Sequence, residues 1–345
     1  MEKWIIYGTG KSADYCIKYL YENKNLLPNE IVAVSDGNKE KWGMEYAKHV
    51  VISPNKIINY EFDYLLIASV YFEEIKNQLL DEEKIPISKI VGKEELGKRV
   101  RKKFSKWQYE QHQMNHKWVH ECDPISTEKM VVYTANFGGY DQLYDPDVVE
   151  DDVDYVCFTD DRDFKSDIWN IQYIDTSRCA SLPLMVREYK MKPHKYFKEY
   201  STSIWIDSSL QIKKELREYI QKYSIQSPML CFPHSERHSV YDEAKRCIEL
   251  KKGNKNDLER QIKAYREAGY IENLEMAECA CLVRAHNNKE LIVVMEDWWN
   301  EVCMYSKRDQ ISFPYACWKN QFHYDLSDLV VFECEYFEYR NHLEK

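Results

Sequence analysis

Short apolar runs rich in β-branched and aromatic residues recur along the chain, several closing on a small, polar or acidic residue. The first set is KWIIY (3–7), IVAVSD (31–36), DYLLIAS (63–69) and KIVG (89–92). The second is MVVYTANF (130–137), DYVCFTD (154–160), WNIQYID (169–175), STSIWIDSSL (201–210), PMLCFPH (228–234) and AECACLVRAH (277–286). Helix-compatible stretches separate most of them, including a long one over 240–268. Runs of this length alternating with helical patterns predict parallel strands with helices on their faces, an α/β fold. A chain of 345 residues is long enough for two such units. The expected division is a small Rossmann-like parallel sheet over 1–97, a basic helical linker over 98–128 and a larger α/β domain over 129–345.

The linker carries KRVRKKFSK (98–106), six basic residues with no acidic one, followed by a polar helical stretch. Such a run reads first as a solvated connecting helix, and second as a surface that docks to an acidic neighbour or makes peripheral contact with a membrane. His112, His116 and His120 lie four apart on one helical face with Cys122 beyond, a spacing that suits zinc. No further ligand set nearby completes that site. The 11 cysteines are odd in number and contain no C-x-x-C pair, which fits buried reduced thiols better than a disulfide framework. The opening MEKWIIYGTG enters a strand pattern at once, and no run reaches the roughly 18 apolar residues a spanning helix needs. A cytoplasmic protein is expected. The net charge of −10 argues against a duplex nucleic-acid binder, which needs a basic face.

Two motifs invite chemical readings. Gly8-Thr9-Gly10-Lys11-Ser12 follows the first strand, but Ile5 stands where a Walker loop requires glycine. As a dinucleotide fingerprint it has Gly8, Gly10 and Ala13, with Asp36 placed to meet a ribose. The same glycines also serve a tight strand-to-helix turn. This segment resembles the small Rossmann-like domains attached to bacterial sugar-modifying enzymes. The second motif is Asp207-Ser208-Ser209 at the end of STSIWI. A carboxylate at an exposed strand end can hold a divalent cation, or it can cap the turn that follows.

From about Lys129 to His323 the ordered set MVVYTANFGGYDQL, DYVCFTDD, REYKMKPHKYF, EYSTSIWIDSSLQI, FPHSERHSVYDEA and RDQISFPYACWK resembles the TOD/MUCI-type glycosyltransferase-like family, named for plant pollen-tube and mucilage proteins. The resemblance implies a GT-A-like fold, a nucleotide-sugar donor (UDP-sugar favoured), a glycan or lipid-linked acceptor, and Mn2+ or Mg2+. It places Thr134, Gly138, Tyr140 and Asp160 on the nucleoside, and Arg187, Lys190 and His194 on the diphosphate. Asp207 and Ser209 occupy the Asp-x-Asp position, with Ser209 replacing the second carboxylate, and His323 is the candidate third metal ligand. Asp309 or Glu278 would be the catalytic carboxylate, and His234, Arg237, His286 and Gln310 would face the acceptor. The expected function is a glycosyltransferase in surface polysaccharide synthesis. Two other classes stay open. One is an NAD(P)- or nucleotide-binding oxidoreductase or sugar-modifying enzyme using the N-terminal loop. The other is a non-catalytic carbohydrate-binding protein, which the 27 Tyr and 9 Trp would suit.

Overall fold

The computed structural model describes residues 1–115, 124–271 and 276–340. It forms two compact units, Met1–Phe104 and Ser105–Lys345.

In the first unit, β1 (Glu2–Tyr7), α1 (Lys11–Glu22), β2 (Asn29–Ser35), β3 (Glu45–Tyr46), β4 (His49–Ile52), β5 (Tyr64–Ile67), α2 (Phe72–Asp81) and β6 (Ile90–Gly92) follow in order. The strands form a sheet in the order β3-β4-β2-β1-β5-β6, parallel throughout except for the β3–β4 pair. Trp4 and Ile6 enter one core with Cys16 and Leu20 of α1, while Ile5 and Tyr7 enter another with Leu79 of α2. Both faces of β1 are therefore covered, which is why KWIIY reads as an unbroken apolar run rather than an alternating one. Then comes α3 (Lys93–Asn115), a single helix through the basic run. Its Leu96 and Val100 belong to the first unit's core, whereas Ser105 Oγ donates to Leu329 O at 2.9 Å in the second unit. The expected boundary at residue 97 thus falls inside a helix. That helix is only partly solvated, because Gln108 and His112 are also buried.

The second unit contains β7 (Met130–Asn136), β8 (Val153–Thr159), β9 (Asn170–Tyr173), α4 (Leu182–Met191), α5 (Pro193–Tyr196), β10 (Thr202–Ile206), β11 (Leu210–Ile212), α6 (Leu216–Tyr223), β12 (Met229–Pro233), α7 (Val240–Glu249) and α8 (Lys255–Glu267). It continues through β13 (Ala277–Arg284), α9 (Lys289–Met304), α10 (Asp309–Lys319), β14 (Asp325–Leu326) and β15 (Phe337–Tyr339). Seven of these strands form one sheet, in the order β14-β12-β13-β10-β7-β8-β9, and β11 pairs with β15. Only β13 runs against its neighbours, β10 and β12. The sheet is buried on both faces: Val131, Tyr133 and Ala135 point toward α4 and α9, and Met130 and Val132 toward α6. The helical stretch over 240–268 is two helices, broken where Lys251 and Gly253 take positive φ (55° and 111°). Among the described residues no helix is long and apolar enough to cross a membrane, and the cysteines are free.

Gly8 ends β1 with φ +113°, and a Cβ there would meet Ala68 O at 3.2 Å. Gly10 has φ −110° and open space around it. Gly8→Ala is therefore expected to destabilise the first unit by about 1–3 kcal/mol, and Gly10→Ala to be near neutral. Hydrogen exchange of residues 1–104 in the full chain measures the difference.

Candidate functional site

Parallel β7, β8 and β10 bring their carboxyl ends to one edge of the large sheet, and antiparallel β13 brings its amino end there. The Asp207 N–H donates to Ala280 O at 2.8 Å, closing β10 against β13. At this edge opens a cavity of about 510 Å³. Its walls come from the loop after β7, the first turns of α4, the end of β10 and Arg308. A crevice outside the carboxyl ends of parallel strands is where open α/β sheets bind ligands.

The loop after β7 depends on two consecutive glycines in left-handed conformation, Gly138 (φ +70°) and Gly139 (φ +58°). Asp160 fixes it from β8, accepting the Gly138 N–H at 2.8 Å on one oxygen and the Thr176 hydroxyl at 2.9 Å on the other. Gly138 and the half-exposed Tyr140, both expected on the nucleoside, line the cavity. Asp160 does not line it. Its carboxylate shapes the loop. Thr134 is wholly buried inside β7 and is also away from the cavity.

Behind the wall lies a buried charge cluster. Lys190, in the last turn of α4, places Nζ 2.7 Å from Asp309 Oδ2 and 3.4 Å from Asp207 Oδ1. Arg187, one turn earlier, lines the cavity with its Nε 3.3 Å from Asp309 Oδ2. Asp207 Oδ1 also accepts the Trp205 indole N–H at 2.8 Å. Burial alone would raise the Asp309 carboxyl, but Arg187, Lys190 and Arg308 overcome this and hold it far below the usual carboxylate range. Burial alone would likewise lower the Lys190 ammonium, but Asp207 and Asp309 raise it. Arg284, fully buried, donates to Lys190 O at 2.7 Å and to the Tyr133 hydroxyl at 2.6 Å, fixing the main chain that carries this lysine.

A second network adjoins the first. Buried Glu243 of α7 pairs with Arg237 and lies 3.5 Å from Arg308 Nη2. Gln310 donates to the Glu278 carboxyl and accepts from Arg308 Nη2 at 3.2 Å. Glu278 and Asp309, expected as catalytic carboxylates, sit behind the cavity wall rather than on it. Burial, with help from Asp207 and Asp309 against Lys190, pushes Glu278 up to about 8, so at neutral pH it is mainly protonated. His234 Nδ1 accepts the N–H groups of Glu236 (3.2 Å) and Arg237 (3.1 Å), which leaves the ring proton on Nε2 toward Glu243. Burial lowers its pKa to about 4, and with Arg237 it builds the β12–α7 turn instead of a surface for an acceptor.

Three expected histidines lie elsewhere. His194 of α5 pairs with Glu296 of α9 at 3.1 Å and does not join Arg187 and Lys190. His286 follows the carboxyl end of antiparallel β13 and is buried at the opposite edge of the sheet, 2.7 Å from Phe197 O. His323 precedes β14, where its carbonyl accepts the Ser227 hydroxyl at 2.8 Å, again at the opposite edge from Asp207. The expected metal set of Asp207, Ser209 and His323 is thus not brought together. Among the described residues no three His, Cys, Asp or Glu side chains converge on a point that would hold a metal ion. His116, His120 and Cys122 lie outside the described residues. The sequence reading assigned no role to Asp141, Trp205 or Arg308. Asp141 sits at the end of the GGYD stretch and accepts the Ser208 hydroxyl at 2.7 Å.

In the first unit, Gly8–Ser12, Asp36 and the loop after β5 line a separate cavity of about 630 Å³. Asp36 already accepts Thr9 Oγ1 (2.6 Å), Asn38 N–H (2.9 Å) and Lys41 Nζ (3.0 Å). Burial raises its carboxyl, but these contacts outweigh it and keep the pKa low.

Glu278 gives a pH signature. Its folded pKa is raised from 4.5 to about 8, so the folded state holds a proton that the unfolded chain loses first. That stabilisation is full below about 4.5 and is lost as pH rises through about 8. Glu278→Gln, which keeps a partner for Gln310, is expected to flatten this decline and to be no less stable than the parent at pH 8. Denaturant unfolding across pH 5 to 9 measures it.

No curated protein matches the chain in sequence. Among similar solved structures, the apo WbbM bifunctional glycosyltransferase is 8% identical over 59% of this chain and 40% of its own, with TM-score 0.34. This chain therefore spans about two fifths of that one. Apo mouse xyloside xylosyltransferase 1 is 6% identical, covering 57% and 84%, with TM-score 0.32. The mannosyltransferase Ktr4p from S. cerevisiae is 10% identical, covering 72% and 81%, also with TM-score 0.32. Residues 1–91 match the family described as C2185-like, N-terminal. Residues 103–343, well over half the chain, match the TOD1/MUCI70 glycosyltransferase-like domain, and the chain belongs to that family.

Proposed function

We propose that the second unit transfers a sugar from a nucleotide-sugar donor, a UDP-sugar in preference, to a hydroxyl of a glycan or lipid-linked acceptor, in the synthesis of surface polysaccharide or glycoconjugate. The observation that carries this reading is the cavity at the carboxyl ends of β7 and β10, where Arg187 and Arg308 face Asp207 in a domain of a glycosyltransferase-like family. Glycosyl transfer leaves negative charge on the departing diphosphate, and fixed cations near it stabilise that charge as it develops. Both guanidinium groups are held from behind by carboxylates, Arg187 by Asp309 and Arg308 by Glu243, so little reorganisation is needed. The remaining wall suits a nucleoside. Leu182, Pro183, Val186 and Phe137 offer apolar surface, and the Gly138–Gly139 turn allows close backbone approach.

Asp207, the exposed carboxylate of the charge cluster, is positioned by the Trp205 indole and the Lys190 ammonium to meet the donor near its reacting end. Gln310 and Glu278 act one layer further back, holding Arg308 in place.

Slow hydrolysis of donor in the absence of acceptor tests the reading directly. One nucleotide sugar of a UDP, GDP, ADP and CMP panel is expected to be hydrolysed. Arg187→Ala and Arg308→Ala are each expected to lower kcat/KM by about 10²-fold, with unchanged circular dichroism. A panel in which no donor is bound or cleaved would remove the proposal.

A further inference from the structure

We propose that this cavity binds the donor diphosphate with protein cations alone, Arg187 and Arg308 on its wall and Lys190 behind it, and that nucleotide binding needs no divalent ion. The inference rests on the donor reading above and specifies how that site recognises its ligand.

The donor chemistry around Asp207 carries the first step. Asp207 Oδ1 is already engaged by an indole N–H and by an ammonium 3.4 Å away. A dication taken by this carboxylate would have a buried positive charge as its neighbour, and like charges repel most strongly where water is excluded. Ser209 offers a neutral hydroxyl in place of a second carboxylate, and His323 lies at the other edge of the sheet. Asp141, the other acid on the wall, is more than nine-tenths buried and bound by Ser208. A hard dication generally wants several anionic or carbonyl oxygens in one shell. The residues here are arranged around Lys190 instead.

The second step is the disposition of the guanidinium groups. Arg187 meets Asp309 through Nε, which leaves its terminal N–H groups for the cavity. Arg308 meets Glu243 and Gln310 through Nη2, and its buried Nε has no hydrogen-bond partner. Arg187 thus keeps a planar fork, the geometry that matches two phosphate oxygens, whereas Arg308 keeps Nη1 and contributes a single donor site and its charge. Lys190 cannot touch a phosphate from its buried position, but its charge is undiminished there and adds to the field at the cavity floor.

Titration calorimetry of the full chain with UDP, ADP, GDP and CDP, once in EDTA and once in Mn2+, tests this. The nucleotide that binds is expected to do so in EDTA within about threefold of its affinity in Mn2+. Arg187→Ala and Arg308→Ala are each expected to weaken metal-free binding by at least about tenfold, and Arg187→Lys by less, because charge survives without the fork. Binding seen only with Mn2+ overturns the inference and leaves the donor reading standing. Binding that ignores both arginine variants also overturns it, by placing the nucleotide elsewhere. Failure of every nucleotide under both conditions overturns the donor reading and the inference with it.

Discussion

The ammonium of Lys190 ties the cavity end of the second unit together. It lies between the carboxylate that follows β10 and the one that begins α10, residues far apart in the chain. Removing such a charge from water costs several kcal/mol even after relaxation, so the position is tenable only while both carboxylates stay in place. Asp309 in turn anchors Arg187, and its location in the first turn of α10 is favoured by the helix dipole. The backbone of Lys190 is held separately, by Arg284 and by the Tyr133 hydroxyl, which donates to the same carbonyl at 3.2 Å. A guanidinium at the end of α4 also meets the negative pole of that helix. α4, β10, β13 and α10 therefore cannot shift independently without exposing or stranding a buried charge. That rigidity holds Arg187 and Asp207 as fixed groups on the cavity wall.

Strand ends were the legible part of this arrangement. Asp207 and the Gly138–Gly139 turn were identifiable because a parallel strand places whatever follows it at one edge, and a short apolar run announces the strand. Arg187 and Lys190 were identifiable as one helical face from their spacing of three, but Lys190, expected on the diphosphate, is buried behind the cavity wall. The histidines were not. His286 follows an apolar run just as Asp207 does, but its strand is antiparallel, and strand direction leaves no mark on local composition. His323 precedes its strand, and with β14 parallel to β12 this puts it at the wrong edge. His234 reads as an exposed polar residue in PHSERH, yet its ring serves as an acceptor for two backbone N–H groups, a role that depends on a turn no motif specifies. Arg308 was hidden for a related reason. Its partner Glu243 comes from α7, and only the packing of α10 on α7 brings the two together.

The domain boundary shows the same limit. A composition change at residue 98 is real, but a helix can cross it. Periodicity within α3 gives Leu96 and Val100 to one core and Ser105, Gln108 and His112 to buried positions of the next unit. The basic side chains between them sit on the remaining face. Lys98 and Arg99 are paired with Glu94 and Glu95 one turn earlier, as i,i+4 spacing permits.

Acidity beside the proposed diphosphate site raises a physical difficulty, since ten of the residues between 141 and 163 are acidic and one is basic. The structure resolves it by engaging the carboxylates closest to the cavity in internal bonds. Asp141 takes the Ser208 hydroxyl, and Asp160 takes a backbone N–H and a threonine. Glu150, buried below, accepts the N–H groups of Leu216 (2.6 Å) and Arg217 (3.2 Å) at the start of α6. Asp151, Asp152, Asp161 and Asp163 are exposed, where water and salt screen them within about 8–10 Å. The cavity wall keeps two guanidinium groups whose own counter-charges lie behind them, on the protein side. Local sign is thereby decoupled from net charge. An acidic chain can present a phosphate with a positive surface because the arrangement depends on which carboxylates are already bonded, not on how many there are.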